Sequence, residues 1–393
     1  MKATSYQSRE SDTGFLHALR PGIALAHRTA AALTSHSPPL DEKAGGRRLF
    51  HREPRRATLD AEREHKRWSC RAPAKAGTPR LRAHANRTWF TTTVLLVAIF
   101  HSPGWGSQLV YETTSPYHHI RVIDDNLYRF LCFDDALETR VSLQNPVQGH
   151  FEYTQFFHMP WLWNTQLTSV LMIGLGGAST QTAFAHYYPD LNVQTVEIDP
   201  TVIQVARDFF HFRESEHQKV APSDGRMFLR RTTARYDLII LDAYVRGRYG
   251  SSIPQHLATK EFFELAQQHM NPTNGILAYN VIGTVNGWHA NIVGAIYRTL
   301  KAVFPQVYLF PCRNDQNVVL LATTARVNPD LPALRQRGLL LVQSGRIALP
   351  EFLVLIGQFQ SQPPINSLVS PILTDDYAPV EGLSADTGAS NGR

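Results

Sequence analysis

Three carboxylates, Glu197, Asp224 and Asp242, each follow a strand-like run in the middle of this sequence. A fourth run opens instead into Gly174, Gly176 and Gly177, in "VLMIGLGGAST". A carboxylate accepts hydrogen bonds and donates none, so one carboxylate can take both hydroxyls of a ribose. Glu197 lies 23 residues after Gly174, close to the separation between a glycine turn and a ribose-holding acid. Asp224, in "PSDGRMF", is placed to meet an adenine amino group, and Asp242 ends a further strand. The stretch has no GK[ST], which disfavours a phosphate-cradling loop. A tightly packed helix would explain the glycines alone, but not an acid at the end of each following strand. The pattern therefore points to a bound nucleoside.

Such a site needs strands that stop side by side. "SVLMIGLG" and "YDLIILDAY" are short continuous apolar runs, as expected of strands buried on both faces. "VQTVEID" and "GILAYNVIG" read as further strands, and a weak one precedes Asp224. Between them "TQTAFAHYY", "TKEFFELAQQHM" and "GWHANIVGAIYRTLKAVF" read as helices. Asp199 followed by Pro200 is a helix start, a capping acid before a proline at the first helical position. Alternating units predict a parallel sheet covered by helices, with the ligand beyond the carboxyl ends of the strands. "QVYLF" and "NVVLLATT" follow with no helix between them, which predicts an antiparallel edge. Upstream, "YHHIRVIDDNLYRFLCFDD" and "ETRVSLQNP" alternate apolar and polar residues and predict a small antiparallel β-domain, with a turn near Asp125 and Asn126.

Charge is uneven along the chain. Residues 1–88 hold 18 Lys+Arg and 8 Asp+Glu, and the remainder 21 and 25, so nets of +10 and −4 make up the total of +6. The folded part is thus acidic and shows no basic aromatic patch, which argues against nucleic acid as a partner. Residues 1–87 show no sustained apolar period and are expected to be disordered. Residues 88–106 combine a positive flank at Arg87, an apolar core over 89–100 and small residues at Gly104 and Gly106. This is the grammar of a secretory signal peptide, too short for a spanning helix. One expectation covers both segments: the natural start lies just before the apolar run. The protein is then exported, or membrane-associated through residues 88–106 if they are uncleaved; otherwise it is cytoplasmic. Cys70, Cys132 and Cys312 are too few and scattered for a disulfide framework or a zinc site, and no metal is expected.

In order along the chain stand "SPYHHIRV", "YTQFFH", "MIGLGGAS", "VEIDP", "SDGRMFL", "YDLIILDAY", "IPQHLATKEFFE" and "LTDDYAPVE". On these motifs residues 108 to about 383 resemble the spermidine synthase family, the polyamine aminopropyltransferases, especially its divergent membrane-associated or secreted branch. The resemblance implies a Rossmann-like, methyltransferase-type α/β sheet preceded by a small N-terminal β-domain. It divides the chain into a β-domain at 108–150, a nucleoside-binding catalytic domain at 151–383 and a disordered tail at 384–393. It implies decarboxylated S-adenosylmethionine as co-substrate, a diamine such as putrescine as acceptor, and a homodimer. The nucleoside would meet Gly174, Gly176, Gly177, Glu197, Asp224, Gly225 and His118, the last standing where the family usually has Gln. Tyr153 and Tyr244 would line the substrate tunnel.

Two departures bear on the chemistry. Gly177 replaces the family's acid that grips the donor's primary amine, and Val245 replaces the second acid of its D-S-S-D-P motif. A diamine arrives as a dication with pKa values near that of lysine, about 10.4, so a carboxylate must take a proton before attack. Asp242 is the expected base. Asp375 or Asp376 is the expected anchor for the far ammonium, unless the pair is only a polar turn before Pro379. Two other classes stay open: a methyltransferase using intact S-adenosylmethionine, whose carboxylate no acid at position 177 would repel, and a nucleoside-binding homologue that has lost transfer.

Overall fold

The computed structural model describes residues 107–385, apart from Tyr249 and Trp288. The expectations for residues 1–87 and 88–106 lie outside the described residues. So does the tail at 384–393 beyond Ala385; Ser384 closes a helical turn, Val380–Ser384, and Ala385 caps it. Among the described residues no helix is long and apolar enough to cross a membrane.

The chain enters through an antiparallel meander, β1 (Gln108–Thr114), β2 (His119–Asp124), β3 (Tyr128–Phe133) and β4 (Ala136–Ser142), paired in sequence order. The Asp125 carboxylate shapes the β2–β3 turn by accepting the Leu127 and Tyr128 N–H groups at 2.7 and 2.5 Å. Between β3 and β4 the register passes from Leu131–Thr139 to Cys132–Leu137. Glu138 is therefore an extra residue without a cross-strand partner, a β-bulge.

The second sheet has seven strands. β5 (Ser169–Ile173), β6 (Asn192–Glu197), β7 (Gln218–Pro222), β8 (Leu238–Leu241) and β11 (Ile276–Ile282) run parallel. β12 (Gln306–Pro311) and β13 (Asn317–Thr323) complete the order β12-β13-β11-β8-β5-β6-β7. β13 is antiparallel to both neighbours. The expected antiparallel edge is present: β12 takes the edge itself and β13 inserts between it and β11. Alternate residues face opposite layers. Leu171, Ile239 and Leu241 pack with Phe262, Phe263 and Ile296 on one side. Val170, Met172 and Ile240 pack with Trp161, Phe184 and Leu334 on the other. Both faces are apolar, which is why these strands read as unbroken apolar runs.

Helices cover both faces. They include α1 (Tyr153–Phe156), α2 (Ser179–Tyr187), α3 (Pro200–Phe209), α4 (Gly225–Arg231), α5 (Lys260–Gln268), α6 (Ala290–Lys301) and α7 (Leu331–Gln343). Asp199 caps α3 by accepting the Thr201 N–H at 2.8 Å, with Pro200 at the first position. A short hairpin, β9 (Val245–Gly247) and β10 (Gly250–Ser252), follows β8. The architecture is a Rossmann-like α/β fold of the methyltransferase type behind a small β-sheet.

The two sheets are joined by apolar packing of Ile120, Val122, Leu131 and Val141 against Val202, Val205 and Phe210. Arg129 adds a bond to the Phe209 carbonyl at 2.8 Å, and Thr139 Oγ1 accepts the Gly177 N–H at 2.9 Å. These contacts hold β4 over the glycine loop.

Candidate active site

Strand order reverses at β5, flanked by β6 and β8, and the crevice beyond the carboxyl ends of such strands is where ligands bind in these sheets. A cavity of about 490 Å³ opens there, roofed by the small sheet. Gly174, Gly176, Glu197, Asp224, Gly225, Asp242, Tyr153, Tyr244 and His118 all line it. Gly174 has φ +105°, and a Cβ there would lie 2.0 Å from the Asp242 carbonyl oxygen. The glycine is needed so that β5 and β8 can end side by side.

Glu197 spans the glycine loop from the end of β6. Its carboxylate accepts the Leu175 N–H at 3.0 Å and the Asp199 N–H at 2.9 Å. Burial pushes it up to about 7 against the pull of those bonds. Asp224 caps α4, accepting the Met227 N–H at 2.8 Å, and its second oxygen lies 2.8 Å from His256 Nε2. The His256 hydrogen bond holds it below the usual carboxylate range. His118 is 9% exposed and stacks on Phe133 at 4.3 Å. Its Nδ1 has no hydrogen-bond partner, and burial lowers its pKa against the opposing charges of Asp134 and Asp199. Nδ1 lies 3.9 Å from Asp134 Oδ2, and the ring itself forms part of the cavity wall.

Asp242 stands directly after β8 and lines the cavity. Asn280 Nδ2 donates to it at 2.9 Å and the Tyr153 hydroxyl at 3.3 Å. Asn317 in turn fixes Asn280, donating to its Oδ1 at 2.9 Å. Burial raises Asp242 to about 6, with both hydrogen bonds opposing. A carboxylate near 6 is a far better proton acceptor at neutral pH than an ordinary one. Tyr153 itself is pushed well up, first by burial and then by the Asp242 charge, so it stays a donor. The Tyr244 hydroxyl donates to the Asn280 carbonyl at 2.7 Å and accepts the Ile282 N–H at 3.1 Å, tying this loop to β11.

Three expected residues lie elsewhere. Gly177 is buried against Thr139 rather than lining the cavity, and a Cβ there would sit 2.5 Å from Thr139 Cγ2. Asp375 does not line the cavity. Arg226 holds it through two bonds at 2.7 and 2.6 Å, Thr259 adds a third at 2.7 Å, and the guanidinium keeps it at about 2. Asp376 is exposed and also outside the lining. The pair belongs to a turn closed by reciprocal 3.0 Å bonds between Thr374 and Tyr377.

The sequence reading missed Asn280, His256 and Glu138, all of which line the cavity. Glu138 accepts a 3.0 Å bond from Ser251 Oγ, and burial lifts it to about 7. The bulge that turns it inward leaves no mark in an alternating pattern. Arg246 is the one Lys or Arg among the described lining residues, and it pairs with Asp134 at 2.8 Å. The cavity is thus acidic and uncompensated. A separate group, Glu152, Cys312 and Asp315, could geometrically hold a metal. Its carboxylates already serve a loop clasp: Glu152 accepts the Arg313 and Asn314 N–H groups at 2.9 and 2.7 Å, and Asp315 accepts the Glu152 N–H at 2.5 Å. Burial pushes the Cys312 thiol up, away from the thiolate a metal needs.

Fold and site together define a methyltransferase-type α/β protein with an acid-lined cleft at its strand ends. The spermine/spermidine synthase domain model matches residues 150–313. A polyamine aminopropyltransferase of Vibrio vulnificus is 30% identical over 290 residues, covering 70% of this chain and 92% of that protein. The chain belongs to the spermine/spermidine synthase family. It is also similar, at 29% over 157 residues, to an eEF1A lysine and N-terminal methyltransferase of Xenopus laevis, covering 39% of this chain and 22% of that one. Among solved structures it matches a probable spermidine synthase from Corynebacterium glutamicum with a TM-score of 0.49 and 19% identity, covering 58% of this chain and 86% of that one.

Proposed function

We propose that this chain transfers an aminopropyl group from decarboxylated S-adenosylmethionine to a primary amine of a diamine such as putrescine. The observation that carries the reading is the charge of the cavity. Glu138, Glu197 and Asp242 line it with no free Lys or Arg among the described lining residues. Such a site suits a sulfonium donor and a cationic acceptor, and its neutral-to-acidic pKa values suit removing a proton from an ammonium. Glu197 and Asp224 would hold the nucleoside. Asp242 would accept a proton from the acceptor nitrogen, whose lone pair then attacks the methylene carbon bonded to sulfur. The carbon–nitrogen bond forms as the carbon–sulfur bond breaks, and the electron pair leaves with neutral 5′-methylthioadenosine. The Tyr153 hydroxyl and Asn280 amide would steady the Asp242 carboxylate. Asp315 lines the cavity where Asp375 and Asp376 do not, and its oxygen outside the loop clasp would face the far ammonium.

One observation favours a second reading, methyl transfer from intact S-adenosylmethionine: Thr139 fills the space beside Gly177, where an acid would repel the donor's carboxylate. An initial-rate assay separates the two. The protein with decarboxylated donor should release 5′-methylthioadenosine only when putrescine, cadaverine or spermidine is added. Release of S-adenosylhomocysteine from intact donor, with no methylthioadenosine from the decarboxylated one, would make methyl transfer the reaction.

A further inference from the structure

The missing acid at position 177 leaves the donor's ammonium without its expected partner, and the bulge in β4 supplies another. We propose that Glu138 is the residue that binds the primary ammonium of the donor and so selects the decarboxylated nucleoside over the intact one. This rests on the aminopropyl reading above.

Glu138 is the unpaired residue between Leu137 and Thr139 in the β3–β4 register. Bulges re-aim a side chain, and they cluster beside active sites. Its neighbour Thr139 is the residue that bonds the Gly177 N–H and occupies the space a side chain at 177 would need. The small sheet therefore carries a carboxylate into the cavity on the residue next to the one that fills the space at position 177. Ser251 on β10 donates to Glu138 at 3.0 Å, and Arg246 on β9 pairs with Asp134 at the start of the β3–β4 turn. The hairpin after Asp242 is thus latched to this part of the small sheet by two bonds, one of them to Glu138 itself. The two carboxylates feel each other's charge, and Glu138 is shifted upward chiefly by burial. Among the described residues Glu138 has one hydrogen-bond donor, Ser251, and no cationic partner, and a primary ammonium supplies one. The carboxylate of the intact nucleoside would face a like charge there.

Glu138→Gln keeps the shape and removes the charge. Calorimetric titration should show affinity for decarboxylated S-adenosylmethionine falling at least tenfold. Affinity for 5′-methylthioadenosine, which lacks the ammonium, should stay within twofold, and the preference over intact S-adenosylmethionine should shrink. Unchanged affinity for the decarboxylated donor, or an equal loss for methylthioadenosine, would overturn the assignment. If Glu138→Gln does not fold, Glu138→Asp carries the test: drawing the carboxylate back by one methylene should lower the ratio of the two affinities, and an unchanged ratio overturns the proposal. The two levels fail separately. Aminopropyl transfer with an indifferent Glu138→Gln removes Glu138 and leaves the reaction. A selective loss of donor affinity in a protein that transfers nothing removes the reaction and leaves Glu138.

Discussion

Asp242→Asn should make the protein both inactive and more stable above neutral pH. The wild-type carboxyl is held at about 6 by burial, against an ordinary 3.8. Between those values the folded state binds protons more readily than the unfolded state. Stability therefore falls as pH rises from about 4 to about 6, and the loss is complete above that window. At about 1.4 kcal/mol for each pH unit, the ionised carboxylate costs up to about 3 kcal/mol at pH 8. Asparagine keeps an acceptor for Asn280 and a group that can face Tyr153, so the hydrogen bonds at 2.9 and 3.3 Å have a counterpart in the variant. The melting temperature of the variant should exceed wild type at pH 8, by about 2–4 °C for each kcal/mol in a domain of this size. At pH 4 the two should coincide, because the wild-type group is then protonated in the folded state. Turnover should drop by about a hundredfold to ten-thousandfold, the usual worth of a general base. Scanning calorimetry of both proteins at the two pH values decides the point. A variant less stable than wild type at pH 8 would mean that the carboxylate is favoured by its surroundings, and its role as a poised base would fall.

Three further outcomes follow from the same geometry. Glu197→Gln should weaken binding of 5′-methylthioadenosine by about 1.5–3 kcal/mol, the range for a hydrogen bond to a charged group, and calorimetry would show an unchanged affinity if Glu197 did not reach the ribose. Gly174→Ala should cost at least about 1–3 kcal/mol in denaturant unfolding, since φ is +105° and the new Cβ would fall 2.0 Å from the Asp242 carbonyl oxygen; a silent substitution would contradict the close approach of β5 and β8. Val245→Asp should raise turnover, because Val245 lines the cavity at the start of β9 and is 40% exposed, with room for a carboxylate. A slower variant would show that the second acid of the family motif has no place here.

The sheet was readable because its central strands are buried on both faces, so "VLMI" and "LIIL" stand out as unbroken apolar runs. Asp199 and Pro200 announced α3 through local capping chemistry, which acts within a few residues. Glu197 and Asp242 were legible for the same local reason, as acids directly at strand ends. What the sequence concealed depends on residues far apart in the chain. Asp375 looked like a substrate anchor, yet its partner Arg226 lies 149 positions away. Gly177 looked like an empty place in the donor site, yet Thr139 of the other sheet fills it. Glu138 sits in a bulge that only the pairing of β3 with β4 creates. β13 inserts beside β11 through a pairing that the run "NVVLLATT" does not specify.

The most direct test of the proposed reaction follows the carbon atoms. Decarboxylated S-adenosylmethionine labelled with carbon-13 in its aminopropyl chain is incubated with the protein and putrescine, and the products are analysed by mass spectrometry. The account predicts that all three labelled carbons appear in the polyamine product, with unlabelled 5′-methylthioadenosine released in equal amount. Label that stays with the nucleoside, while a methyl-labelled intact donor passes its methyl group to an acceptor, would contradict it.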